Sequence, residues 1–420
     1  MELVARPICV VFVILHLSLG VPLAWTSAGN FRGTVQDFGK RQVEVFAGIP
    51  FAKPALKLNR FRPPEKLKRS PLISRFAPFG VIKYPASCVQ SPATNTSEDC
   101  LYLSVWRRQG TIAINRKPVV VIIHDGGFYR GSGHGEWHGN ALAALGDVIV
   151  VGFNYRLGVL GFLDLGVHGA EGSVGLEDKQ LALGWVHDHT SGFGGDRHNI
   201  ILLGTEAGAS SAIYHINQTS SRYQGAIVDL LWSPPDDKRT LFERGLEVSK
   251  NLNCSGGEPE AIAFCLRTQS VETLAGIGQI FHPNISIDVR TNGLPVVVGF
   301  AVPGSRNVAL ASVCKTLRWA ESAAEAGSSV NLFLWRKNSA ALLEFIGSAL
   351  GSRSGDSESS QDHNNPAIPR LNLTETVREI TQWESSNHSL FWTNASPDTE
   401  SNEKSVERLT LANLGRENLE

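Results

Sequence analysis

The chain has 420 residues, with 39 Lys and Arg against 40 Asp and Glu, so its formal net charge is −1. This balance argues against a nucleic-acid-binding protein, which normally carries a basic excess. A hydrophobic fraction of 42% and a charged fraction of 19% can supply a large core, which excludes global disorder. The length fits two or three domains or one large α/β domain.

Residues 1–28 are predicted to be a secretory signal peptide. Arg6 supplies positive charge, an apolar run extends from Ile8 to Leu19, and the small residues Thr26 to Ala28 offer a cleavage site. A membrane anchor is the weaker alternative, because the apolar run is short and is followed by Gly20 and Pro22. The sequence therefore predicts a secreted, extracellular protein.

Cysteine usage agrees with an oxidising compartment. Cys88 lies close to Cys100 in the sequence, and Cys254 lies close to Cys265. Both spacings suit short disulfide loops. Cys314 is left over, and an exposed Cys314 would link two chains into a disulfide-bonded dimer.

N-glycosylation sequons are spread along the chain, which fits a secreted glycoprotein. A further sequon at Asn253 directly precedes Cys254, so a disulfide there would compete with the glycan. The predicted glycosylation sites are Asn95, Asn217, Asn284, Asn372, Asn387 and Asn394.

Strand and helix patterns alternate after Tyr102, which predicts an α/β fold with a doubly wound sheet. Val119–Ile123, Val148–Phe153 and Asn199–Leu203 are continuous apolar runs, typical of parallel strands buried on both faces. Between them, Leu176–His187 carries apolar residues at helical spacing. The main domain is predicted over 29–350, a polar linker over 351–370 and a polar C-terminal remnant over 371–420.

Several motifs fall at the ends of the predicted strands. Ser97–Leu103 reads SEDCLYL, His124–Phe128 reads HDGGF, and Gly204–Gly208 reads GTEAG between a strand and a helix, where a nucleophile elbow belongs. Together with Phe46–Ala52 (FAGIPFA) and Asn154–Gly158 (NYRLG), these motifs resemble the type-B carboxylesterase/cholinesterase family.

The resemblance covers about Gly29 to Leu350 and implies an α/β-hydrolase fold, in which helices flank a central, mostly parallel, twisted sheet. It also implies ester hydrolysis by a serine, an acid and a histidine. Gly126, Gly127 and the N–H of Ala207 match the family's oxyanion hole.

The three catalytic positions depart from the family pattern. The elbow carries Glu206 where the family has serine, the turn near Pro303 contains no carboxylate, and Asn338 stands near the expected histidine. The chain is also shortened after Ser305, so the helices that cover the family's active-site gorge are expected to be partly missing.

Other family features match and have a structural interpretation. The resemblance implies two disulfides and two ion pairs that tie loops to the sheet. The disulfides are Cys88–Cys100 and Cys254–Cys265, and the ion pairs are Arg60–Glu98 and Arg156–Asp178.

From these positions we interpret the chain as a secreted, glycosylated pseudoenzyme that acts by binding an extracellular protein partner. No cofactor, metal, nucleic acid or membrane span is expected. One alternative is a carboxylic ester hydrolase with a non-standard catalytic set. The other is a truncated product of the family.

Overall fold

The structure is a computed structural model, and it describes residues 21–67, 78–92, 95–112, 114–134, 139–231, 240–277, 296–301, 330–335 and 407–409. Several predictions fall on residues outside these ranges. They are the apolar signal run, the linker 351–370, Cys314, the positions near Pro303 and Asn338, and the sequons at Asn284, Asn372, Asn387 and Asn394.

The described strands and helices alternate through most of the chain. The strands are β1 (Leu23–Thr26), β2 (Gly29–Arg32), β3 (Thr34–Phe38), β4 (Arg41–Pro50), β5 (Phe79–Gly80), β6 (Ser87–Cys88), β7 (Thr96–Ser97), β8 (Tyr102–Arg108), β9 (Lys117–Ile123), β10 (Ile149–Phe153), β11 (Asp164–Val167), β12 (Ala170–Glu171), β13 (Gly195–Glu206), β14 (Gly225–Leu231), β15 (Val296–Ala301), β16 (Val330–Trp335) and β17 (Glu407–Leu409). The helices are α1 (Gly139–Gly146), α2 (Gly158–Phe162), α3 (Val174–His189), α4 (Ala207–Gln218), α5 (Leu241–Asn251), α6 (Pro259–Thr268) and α7 (Val271–Gly276).

The chain forms two compact units, and the first contains Met1–His124, Phe128–Asn199 and Asp237–Asn284. Its mixed sheet has the strand order β9-β10-β8-β4-β3, with β9 and β10 parallel and the remaining neighbours antiparallel. The β9 side chains from Val119 to Ile123 are all buried, as expected of a strand covered on both faces.

The second unit contains Asp125–Gly127, Ile200–Asp236 and Ile285–Glu420. In it β13, β14, β15 and β16 are consecutive parallel neighbours, and β17 adds an antiparallel edge. Leu202 and Val228 are buried between the layers, which agrees with the predicted α/β class.

The N-terminal strand β1 is part of the first unit. It pairs with β2 in antiparallel register, from Leu23 opposite Arg32 to Thr26 opposite Gly29. The Arg107 guanidinium donates to the Leu23 carbonyl oxygen at 2.9 Å. Cleavage after Ala28 would remove this strand, so we propose that the folded domain begins near Pro22 and that any leader ends before it.

The predicted disulfides Cys88–Cys100 and Cys254–Cys265 are confirmed, with S–S distances of 2.02 and 2.03 Å. Arg60 connects the two cross-linked regions. Its guanidinium makes a bidentate contact with Glu98, at 2.5 and 2.7 Å, and donates to the carbonyl oxygen of Arg267 at 2.9 Å. The two short loops are therefore held to each other through one side chain.

No helix within the described part of the chain has the length and apolar character needed to cross a bilayer. The described residues also contain no group of three or more His, Cys, Asp or Glu side chains that could hold a metal ion.

Candidate functional site

A sharp strand-to-helix turn lies at Glu206, the residue at the predicted nucleophile position. β13 ends at Glu206, and α4 begins at the next residue. Glu206 has φ 45° and ψ −113°, a backbone conformation that residues other than glycine rarely adopt. The pairing of β13 with β14 also shifts register between Thr205 and Glu206. The local backbone thus has the strained form of a nucleophile elbow.

The two glycines that flank this turn allow the strand and the helix to approach closely. A Cβ added to Gly204 would lie 2.3 Å from the carbonyl carbon and 2.3 Å from the carbonyl oxygen of Gly208. Real Cβ atoms do not come so near to backbone atoms, so the first turn of α4 would have to move away from β13. The spacing of the GTEAG motif is therefore a packing requirement of the elbow.

We predict that Gly204→Ala lowers the free energy of unfolding by about 1–3 kcal/mol, because the clash involves backbone atoms that no rotamer change relieves. Urea denaturation measures the change. Gly276→Ala is the matched control, since a Cβ at Gly276 meets nothing within 4 Å. A Gly204→Ala protein with the stability of the control would contradict this account of the motif.

Around the elbow, Glu206 is the polar side chain best placed for chemistry. It is half-buried, and its side chain makes no capping hydrogen bond to α4. The nearest serines, Ser210 and Ser211, are fully buried, and the Ser211 hydroxyl donates to the Ala207 carbonyl oxygen at 2.7 Å. Neither serine is exposed to a substrate in this arrangement.

The loop that follows β9 has an unusual run of backbone conformations. Gly126, Gly127 and Phe128 have φ values of 99°, 60° and 69°, all in the left-handed region. Asp125–Gly127 belongs to the same compact unit as Ile200–Asp236. The structure therefore brings the glycine loop and the elbow, which are far apart in the sequence, into one unit.

The electrostatics at the elbow favour negative charge. α4 has twelve residues, and its first N–H groups have no intrahelical acceptors. The positive end of the helix dipole stabilises an anion there by roughly 0.3–1 kcal/mol. This field would stabilise an ionised Glu206, and it would equally stabilise an oxyanion beside Ala207.

The other two predicted positions follow strands of the same parallel set. β15 ends two residues before Pro303, and β16 ends shortly before Asn338, although both positions lie outside the described residues. Because β13, β15 and β16 run in one direction, their carboxyl ends share one edge of the sheet. Of the three positions, the structure describes Glu206 at the end of β13.

The chain is similar to one family of known proteins, both by its family match and by its individual relatives. The carboxylesterase family matches residues 21–410. Acetylcholinesterase of Gallus gallus is 35% identical over 312 residues, which cover 69% of this chain and 40% of that protein. Juvenile hormone esterase of Tribolium castaneum is 35% identical over 268 residues, covering 60% and 45%. Pyrethroid hydrolase Ces2a of Mus musculus is 34% identical over 289 residues, covering 62% and 49%.

The chain spans about half the length of these relatives or less. Their names identify esterases and hydrolases, so the interpretation of this chain as a non-enzyme is contradicted and we withdraw it. That interpretation depended on single positions, of which the structure describes Glu206 alone. The match over residues 21–410 shows that the chain belongs to the carboxylesterase family and has an α/β-hydrolase fold.

Proposed function

We propose that this chain hydrolyses carboxylic esters, with the Glu206 carboxylate as general base toward a water molecule. In this proposal the N–H groups of Gly126, Gly127 and Ala207 bind the oxyanion. The observation that carries it is the elbow conformation of Glu206, which holds a half-buried carboxylate at the start of α4. Membership of the carboxylesterase family supports the substrate class.

The reaction balances without a covalent intermediate on the protein. A water oxygen attacks the ester carbonyl carbon, and its proton passes to Glu206. The resulting tetrahedral oxyanion accepts hydrogen bonds from the loop and helix N–H groups. The oxyanion then collapses, the carbon–alkoxy bond breaks, and the departing alkoxide takes the proton from Glu206. The products are a carboxylic acid and an alcohol.

A general base suits Glu206 better than the role of nucleophile. Direct attack by the carboxylate would give a tetrahedral intermediate that expels the carboxylate more readily than the alkoxide, so the intermediate would revert to the ester instead of going on to an anhydride. General-base assistance contributes about 10²–10⁴-fold. One oxyanion-hole donor is worth about 10²–10³-fold in turnover. We therefore expect turnover well above the uncatalysed rate, and slower than that of an enzyme with an intact serine triad.

The test is the hydrolysis of a nitrophenyl ester by the purified full chain. We expect product to accumulate linearly from the start, without a burst, because no acyl-enzyme forms. For the same reason a serine-directed phosphonate should neither label the protein nor inhibit it irreversibly. A rate no higher than that of buffer would overturn the proposal, and so would a burst accompanied by covalent labelling.

Secretion and N-glycosylation are part of the proposal, supported by the cysteine pairs and the sequons. Asn95 is exposed, whereas Asn217 is half-buried in the last turn of α4. We predict that a glycan occupies Asn95, and that the mature N-terminus lies before Leu23 because β1 belongs to the fold. Peptide mapping before and after enzymatic deglycosylation tests both statements. An unmodified Asn95 or an N-terminus at Gly29 would contradict them.

Two sequence-based expectations about assembly stay predictions. They are the extracellular protein partner and the dimer linked through Cys314. Non-reducing and reducing electrophoresis of the secreted chain tests the second, since only a disulfide-linked dimer dissociates on reduction.

A further inference from the structure

A fully buried lysine lies against Phe128, the residue that follows Gly127 in the chain. Lys179 in α3 has no exposed surface, and its Nζ hydrogen-bonds to no described residue. Instead, three aromatic rings surround the ammonium group. Its Nζ lies 3.7 Å from the ring centroid of Tyr155, 4.6 Å from that of Phe128 and 5.8 Å from that of Phe162. Together these residues form an aromatic cage around a cation.

The neighbouring carboxylate does not provide a hydrogen bond to this lysine. Asp178 accepts hydrogen bonds from the backbone N, Nε and Nη2 of Arg156, at 3.0, 2.8 and 2.7 Å. Burial lowers the pKa of Lys179 well below its usual value, and the charge of Asp178 opposes that shift. Ring faces attract a desolvated cation, so the cage adds to the charge of Asp178 in compensating for the burial of the ammonium group.

One wall of the cage is strained. Phe128 directly follows Gly127 and has φ 69°, which is a strained conformation for a bulky side chain. Its ring is fully buried and packs edge-on against Phe162 with centroids 5.6 Å apart. The Phe128 carbonyl oxygen accepts from the Gly158 N–H at 2.9 Å. Such conformations persist only where several contacts hold them.

We infer that the Lys179 ammonium is a positioning group that holds Phe128 in its left-handed conformation and thereby fixes the preceding peptides of Gly126 and Gly127. Relaxation of φ at Phe128 would rotate the Gly127–Phe128 peptide and carry Gly127 with it. The inference rests on the proposed function in one respect, namely that the N–H groups of these glycines bind the oxyanion.

The test compares Lys179→Met, which keeps an apolar stem without charge, with Lys179→Arg, which keeps the charge. Lys250→Met is the control, because Lys250 is exposed on α5. The readouts are amide hydrogen exchange of the peptide covering residues 124–130, affinity for an alkyl phosphonate monoester as a stable tetrahedral anion, and kcat and KM for a nitrophenyl ester.

For Lys179→Met we expect faster exchange confined to residues 124–130, about tenfold weaker phosphonate binding and a lower kcat with little change in KM. The midpoint of thermal unfolding should not fall, because Asp178 keeps its hydrogen bonds to Arg156 while a buried charge is removed. Lys179→Arg should retain part of the phosphonate affinity. A lysine needed only for packing would instead lower the midpoint and speed exchange throughout the protein.

Unchanged exchange over residues 124–130 in a folded Lys179→Met protein would overturn the inference, as would faster exchange in all peptides. If Lys179→Met exchanges faster over residues 124–130 as expected, but the wild type neither binds phosphonate nor turns over ester, the proposed function fails while the positioning role stands. If Lys179→Arg does not fold, the comparison of Lys179→Met with Lys250→Met still decides the question.

Discussion

Asp178→Ala is expected to lower the free energy of unfolding by about 3–5 kcal/mol, the cost of leaving a buried partner charge uncompensated. The Asp178 side chain has no exposed surface, and Arg156 is its hydrogen-bond partner through three nitrogens. Removing the carboxylate leaves the Arg156 guanidinium in a low-dielectric interior, with one further contact at 2.8 Å to the Arg62 carbonyl oxygen. The Arg156 backbone N–H also loses its acceptor.

Chemical denaturation of the full chain measures this change. Asp188→Ala is the control, since Asp188 lies in the last turn of the same helix with a side chain 53% exposed, and surface substitutions usually fall within about 0.5 kcal/mol. The double variant Arg156→Met with Asp178→Leu should recover much of the loss, because it replaces both charges together. A single variant that loses less than about 1 kcal/mol would show that Asp178 is not essential to this part of the core.

The parallel strands and the long helix could be predicted because their signals are local. The apolar run Val119–Ile123 lies within β9, and the run Val148–Phe153 covers β10 and the residue before it. The helical pattern Leu176–His187 lies within α3. The run Asn199–Leu203 marked only the central part of β13, which begins at Gly195. An apolar run reports burial, whereas the polar ends of a strand depend on hydrogen bonds to neighbours that sequence patterning does not show.

Other features depend on contacts between distant residues. The sequence predicted that residues 1–28 are removed, yet Leu23–Thr26 pairs with β2, and the Leu23 carbonyl oxygen accepts a hydrogen bond from Arg107. A four-residue strand has too weak a pattern to be seen without its partner. The role of Lys179 was also missed, because it depends on contacts with aromatic rings far away in the sequence. Its spacing, three residues after Leu176 and four before Leu183, does place it on the buried face of α3.

The strand-to-helix turn at Glu206 could be predicted from the sequence, whereas the prediction of a non-enzyme was wrong. The GTEAG spacing identified the elbow because close packing of Gly204 against Gly208 is a local requirement. Whether catalysis occurs depends instead on what groups meet around Glu206, and residue identities at isolated positions do not determine that. The prediction of a non-enzyme treated departures at Glu206, near Pro303 and at Asn338 as the loss of the reaction, and the family comparison contradicts it.

Glu206→Gln is expected to lower kcat for ester hydrolysis by about 10²–10⁴-fold, with little change in KM. The amide has nearly the size and shape of the carboxylate, so the strained elbow at φ 45° should remain. It cannot accept the proton of the attacking water, and only binding and oxyanion stabilisation would persist. Steady-state hydrolysis of a nitrophenyl ester by folded variants measures the loss.

Three further variants separate the charge at Glu206 from its place in the fold. Thr205→Ser alters the adjacent half-buried residue without touching the base, and should retain most of the activity. Glu206→Asp keeps a carboxylate but withdraws it by one methylene, so its activity should lie between those of the wild type and Glu206→Gln. Glu206→Ser should be as inactive as Glu206→Gln, because a hydroxyl is a poor nucleophile without a base beside it. If Glu206→Gln is as active as the wild type, Glu206 is excluded as the base. If Glu206→Ser is more active than the wild type, a histidine and an acid must meet at this elbow.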